Sequence, residues 1–173
     1  MKPTKADLET FSDLKKVLLE SDFVITNEIQ DEVWLDLRCR FPKATHFPYF
    51  FMVSYNLRQK FIFLVSRTQN SVPAERQGDV LEVLNHSNCY LLNTRLVIPP
   101  GLSEVQLRGQ MELLLTPLIR DDFRIMLKRF IKSLSLVLTM IDDYLAGKIT
   151  KEEAIREMEP EEMALESEDL PVS

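Results

Sequence analysis

Val105-Gln106-Leu107-Arg108-Gly109-Gln110-Met111-Glu112-Leu113-Leu114-Leu115 is the stretch whose reading decides the fold. Val105, Leu107, Met111, Leu113 and Leu115 fall on one side of an extended chain, and Gln106, Arg108, Gln110 and Glu112 on the other. Side chains alternate across a strand, so this pattern belongs to a strand with one buried and one wet face. Such strands build antiparallel sheets covered on a single side. Upstream, Pro99-Pro100-Gly101 marks a turn, because proline donates no ladder bond and glycine permits the bend. Tyr90, Leu92, Leu96 and Ile98 precede it on one face of a partner strand, opposite Asn93 and Arg95.

Downstream, Pro117 closes the strand, and Asp121-Asp122 puts negative charge where a helix begins. Phe123, Leu127, Phe130, Leu134, Val137, Ile141 and Tyr144 then recur at steps of four and three, with Met126, Ile131, Leu138 and Leu145 widening the stripe. Gly147 stands where a helix C-cap glycine belongs. This long helix is expected to lie across the apolar side of the sheet. A shorter helix over residues 79–85 precedes the strand pair; its pattern fades at His86, Ser87 and Asn88.

The N-terminal half reads as a helix followed by strands, with no internal repeat visible. Leu8, Phe11, Leu14, Leu18 and Leu19 give residues 5–20 an apolar helical face. Phe23, Ile25 and Ile29 lead through Gln30-Asp31 into the alternation Val33, Leu35, Leu37, Cys39, Phe41, with Trp34 on the opposite face beside Asp36, Arg38 and Arg40. Residues 41–55 hold Phe47, Tyr49, Phe50, Phe51 and Tyr55, interrupted by Pro42 and Pro48. These aromatics read either as core or as a groove for another chain. Residues 56–60 form a turn into Phe61-Ile62-Phe63-Leu64-Val65, a compact apolar strand, and Pro73 suits the first turn of the helix that follows. Thr150-x-x-Glu153 is a capping box for a last short helix, stopped by Pro160. The expected class is α+β: an antiparallel sheet of about five to six strands with helices packed on one face.

Net charge is −6, but residues 151–173 carry nine acids and two bases, which leaves residues 1–150 at +1. Residues 1–158 read as one domain and residues 159–173 as an acidic flexible tail, dispensable for folding. No apolar leader or membrane-length apolar run is visible, so a cytoplasmic location is expected, with both cysteines reduced.

No catalytic constellation can be assembled, and no enzyme activity, cofactor or metal is expected. Gly78, Gly101, Gly109 and Gly147 stand singly, so no phosphate-cradling loop exists. His86 and Cys89 could offer two ligands where a structural zinc wants four. Cys39 and Cys89 both fall in strand patterns, and Asp142-Asp143 on a solvated helix face. Arg120, Arg124, Lys128 and Lys132, joined by Arg129, form a cationic stripe at i+4 spacing that requires compensation. A solvated face, a nucleic-acid surface and a dock for the acidic tail are its three readings.

Leu84-Asn85-His86-Ser87-Asn88, the alternating strand 105–115 with its long helix, and Leu145-Ala146-Gly147-Lys148-Ile149-Thr150-Lys151-Glu152-Glu153-Ala154 together resemble the bacterial YbjN-like family, described as sensory-transduction regulators. That family looks like the type III secretion chaperone fold. The match covers residues 80–154 well and 5–158 loosely; residues 41–55 and the tail depart from it. Asn85, Asn88 and Gly147 are the family-motif positions. The resemblance implies a non-enzymatic module, often a homodimer, that holds or regulates another protein. Trp34, Phe47, Tyr49 and Phe51 are the expected partner contacts, because rigid aromatics anchor interfaces. Trp34 and surplus apolar helix surface also favour a homodimer, and a nucleic-acid partner is not expected.

Overall fold

The structure is a computed structural model that describes residues 2–41, 50–89, 91, 94–112 and 120–158. Its elements run α1 (Lys5–Glu20), β1 (Val24–Gln30), β2 (Trp34–Arg40), β3 (Phe50–Asn56), β4 (Phe61–Ser71), α2 (Gln77–Asn88), β5 (Thr94–Val97), β6 (Glu104–Glu112), α3 (Arg120–Leu145) and α4 (Lys151–Arg156). A 3-10 turn at Ala74–Arg76, opened by Pro73, leads into α2. The strands form one six-stranded sheet in the order β1-β2-β3-β4-β6-β5, with every neighbouring pair antiparallel. The expected class and element order therefore stand, with residues 90, 92–93 and 113–115 of the predicted strands outside the described residues.

Helices cover one face. Leu35, Leu37, Phe51, Val53, Ile62, Leu64, Val105, Leu107 and Leu96 point into a core completed by Leu14, Leu18, Phe123, Leu127, Phe130 and Leu134. Phe23, Phe41 and Phe51 stack with centroids 5.2–5.3 Å apart, and Phe51 meets Phe130 at 5.8 Å. Gly109 takes its alternating place on this face without a side chain. A Cβ there would stand 2.9 Å from the ring of Phe130. The gap in the apolar alternation of β6 is thus the seat of an aromatic ring from α3.

Two buried carboxylates fasten helices to strands. Asp7, 2% exposed, accepts hydrogen bonds from the Tyr55 hydroxyl (2.8 Å), the Lys60 ammonium (2.5 Å) and Thr4. It serves at once as the capping-box partner of Thr4 and as the anchor of α1 on the β3–β4 hairpin. Burial alone would raise its pKa, but these donors outweigh burial and hold it well below the usual carboxylate range. Asp142 corrects the expectation of a solvated face: it is buried and accepts from the backbone N–H groups of Gln69 (3.2 Å) and Asn70 (3.0 Å) and from the Asn70 amide (3.0 Å). Neighbouring Asp143 pairs with Lys148 at 2.7 Å. Arg76 lies over the Tyr144 ring at 4.3 Å and donates to the carbonyls of Tyr144 and Leu145, satisfying the end of α3.

Other expectations shift in detail. Leu8 and Leu19 sit on the outer side of α1, 51% and 58% exposed; Val17 and Thr10 are buried in their place. Cys89 is no strand residue but the exposed C-cap of α2, whose thiol donates to the Asn85 carbonyl. Cys39 is buried in β2, which pushes its thiol up to about 12. Gly147 adopts φ 73°, a left-handed C-cap geometry that favours glycine.

Two outcomes test this core. Gly109→Ala should cost roughly 1–3 kcal/mol in urea unfolding, because Phe130 must shift to admit the methyl group. Stability carried by Asp7 is fully present above the ordinary carboxylate pKa and lost as pH falls below about 4. An Asp7→Asn variant should be less stable at neutral pH and show a flatter acid limb than the wild type.

Candidate protein-binding face

The register of the ladders lays out the opposite face of the sheet. Trp34 pairs with Asn56; Asp36, Ser54, Phe63 and Gln110 form the next row, followed by Arg38, Met52, Val65, Arg108 and Arg95, then Phe50, Arg67, Gln106 and Val97. No described helix packs on this side, since α1, α2 and α3 all contribute to the core on the other. Half-buried Trp34, Phe50, Phe61, Phe63 and Met52 nevertheless line it along β2, β3 and β4. Smaller residues between them on the same face are covered: Val65 is 5% exposed, Ser54 3% and Asn56 4%.

The aromatics are held in place. The Asp31 carboxylate accepts from the N–H groups of Val33 (2.6 Å) and Trp34 (2.7 Å), fixing the turn from which Trp34 projects. Trp34 meets Phe61 edge-on at 5.5 Å, and Phe61 meets Phe63 at 6.4 Å. The Arg67 guanidinium lies over the Phe50 ring at 5.1 Å and that of Arg108 over Phe63 at 5.7 Å. Stacking of this kind leaves the edges of the guanidinium free to donate.

Charge on the face is one-sided. Arg38, Arg40, Arg67, Arg95 and Arg108 project from β2, β4, β5 and β6, and of these Arg67 reaches a carboxylate, Glu104 at 3.6 Å. Arg108 donates to the Gln106 side chain at 2.9 and 3.1 Å. Asp36 is the carboxylate in their midst. Burial pushes its pKa up, against a hydrogen bond from Ser54, while Asp31 adds to the rise and Arg38 opposes it. One of its oxygens is buried without a partner among the described residues.

The expected contacts are placed differently from one another. Trp34 does lie on the uncovered face. Phe51 does not: it is fully buried in the core, and its neighbour Phe50 takes the outer position. Phe47 and Tyr49 lie outside the described residues. Phe61 and Phe63 were not singled out from the sequence, because an unbroken apolar run does not show which of its residues face inward. The first two arginines of the cationic stripe of α3 are paired, chiefly with α1. Arg120 pairs with Asp13 at 2.8 Å, and Arg124 with Glu20 at 2.6 Å and Asp121 at 2.9 Å. Lys128 lines a groove of about 390 Å³ with Ser21, Phe23, Phe41, Leu127 and Ile131. Lys132 is exposed on the same helix.

The motif residues prove structural. The Asn88 amide donates to the Leu96 carbonyl (2.9 Å) and accepts from the Leu96 N–H (2.7 Å), so its side chain pairs with β5 as a neighbouring strand would. The Asn85 carbonyl receives the Cys89 thiol. Among the described residues no group of three or more potential metal ligands occurs, and no helix is long and apolar enough to cross a membrane.

No family model and no curated protein matches the chain. Among solved structures it is similar to YbjN, a candidate transcription regulator from E. coli, with a TM-score of 0.55 over 80% of this chain and 93% of that one. Identity is 13%, so the likeness is one of fold.

The two faces should respond differently to truncation. Phe51→Ala should cost about 3–5 kcal/mol, as for a fully buried ring. Trp34→Ala should cost clearly less in the same denaturant titration.

Proposed function

We propose, from the fold shared with YbjN, that this chain is a non-enzymatic protein-binding module, regulatory or chaperone-like, that holds a segment of a partner against the uncovered sheet face. One observation supports this reading above the others: Trp34, Phe50, Phe61 and Phe63 are half-buried on a face with no described helix over it, among arginines with few carboxylates in reach. Interfaces concentrate their energy in tryptophan, tyrosine and arginine at a patch centre, and are depleted in lysine and acids there. Pre-stacked rings and guanidinium groups lose little rotamer freedom on binding, which favours affinity.

Trp34→Ala and Arg108→Ala should each lower capture of a partner from host lysate about tenfold, the equivalent of roughly 1.4 kcal/mol. Leu136→Ser serves as the control, since Leu136 is 37% exposed on α3, away from this face. Capture lost equally in the control, or retained in both face variants, would remove the sheet face from the binding role. A change in oligomeric state on Trp34→Ala would make Trp34 a subunit contact instead.

A further inference from the structure

The charge on the sheet face narrows what it can hold. Two copies meeting there about a two-fold axis would bring like patches together. Arg38, Arg40, Arg95 and Arg108 would then face an equally cationic patch, with Asp36 and Glu104 as the carboxylates described on it. A second copy is thus a poor occupant, and an acidic, apolar-punctuated chain is a good one.

The chain contains such a segment. Residues 159–173, Glu-Pro-Glu-Glu-Met-Ala-Leu-Glu-Ser-Glu-Asp-Leu-Pro-Val-Ser, hold six acids, no base, and Met163, Leu165, Leu170 and Val172 between them. The segment leaves the described body at Met158, which is fully buried, so its origin is anchored. α4 rests on α2 and α3, and α2 packs on β5. The tail therefore starts in the helix layer, one helix removed from β5, the edge strand that bears Arg95, with Arg108 on the next strand. Fifteen residues extend up to about 50 Å, ample to round a layer of about 10 Å. The rival site on α3 has Arg120 and Arg124 already paired with Asp13, Glu20 and Asp121.

We propose that residues 159–173 occupy the arginine–aromatic face of the sheet of their own chain, with their acids on Arg95, Arg108 and Arg38 and their apolar residues on Phe63, Met52 and Trp34. This rests on reading that face as a binding surface. A partner segment must then displace the tail, so the tail sets the threshold for binding.

Trp34 is the sole tryptophan of these 173 residues, so its fluorescence reports on this face in the intact chain. Acrylamide, being neutral, probes its accessibility without sensing charge. The variant Glu161→Gln, Glu162→Gln, Glu166→Gln, Glu168→Gln, Asp169→Asn should show about twofold stronger quenching than the wild type. Salt near 1 M, where the screening length falls to about 3 Å, should raise quenching in the wild type and not in the variant. Arg95→Glu with Arg108→Glu should expose Trp34 likewise. Equal quenching in the wild type and the neutralised variant overturns the proposal. So does exposure produced by Lys128→Glu with Arg129→Glu but not by the sheet-face pair, which would put the tail on α3. Protection that appears only at high protein concentration assigns the tail to a second copy and also overturns it. Tight binding of oligo(dT) by the wild type, with Trp34 quenched, would give the face to single-stranded nucleic acid instead. Failure here is separable from failure of the binding role. Unchanged quenching with capture still lost in Trp34→Ala removes only the tail, whereas tail-dependent quenching with capture indifferent to Trp34 removes only the partner site.

Discussion

The ring of Phe130 against the bare backbone of Gly109 is the contact on which the rest depends. It lets α3 approach the sheet at the strand that joins β4 to β5, and it brings Phe130 within stacking distance of Phe51 on β3. Packed interiors tolerate little added volume, so this position admits glycine and penalises a methyl group. With α3 set there, the apolar residues of the inner face are covered. The outer aromatics are left with rings, guanidinium groups and water as neighbours.

Polar contacts then fix the orientation that packing leaves loose. Asp7 and Asp142 are buried carboxylates, and each is surrounded by donors, which is how a charge is kept out of water at tolerable cost. They act at opposite ends of the β3–β4 pair: Asp7 ties α1 to the hairpin turn, and Asp142 ties α3 to the irregular end of β4 at Gln69 and Asn70. Arg76 adds a third fastening where the chain passes from β4 to α2.

Most of this fold was legible because its elements differ in period. Steps of four and three mark α3, strict alternation marks β2 and β6, and Thr150 with Glu153 marks α4. Phase was lost where polar residues do not alternate with apolar ones. Between Phe47 and Phe51, and again from Phe61 to Val65, a strand can be placed either way round. That is why Phe51 stands among the expected contacts while its reading as core stays open, and why the run from Phe61 to Val65 does not show that Phe61 and Phe63 face outward. Asp142 misled for a different reason: a carboxylate on a helix looks solvated until the backbone donors of a distant strand are known to reach it. Gly109 carried a signal that could have been used, since a glycine in an otherwise apolar alternation marks close approach of another element.

The side chain of Asn88 has a consequence for how the sheet can grow. By occupying both backbone groups of Leu96, it closes the middle of a strand only four residues long. At the other end of the sheet, β1 shows no such cover among the described residues. A ladder with one closed border can accept a strand at the other but cannot relay the pairing onward. Chains that meet through β1 would stop at two, whereas an endless cross-β stack needs two live borders per copy. A single amide thus keeps the middle of β5 from pairing with a further strand.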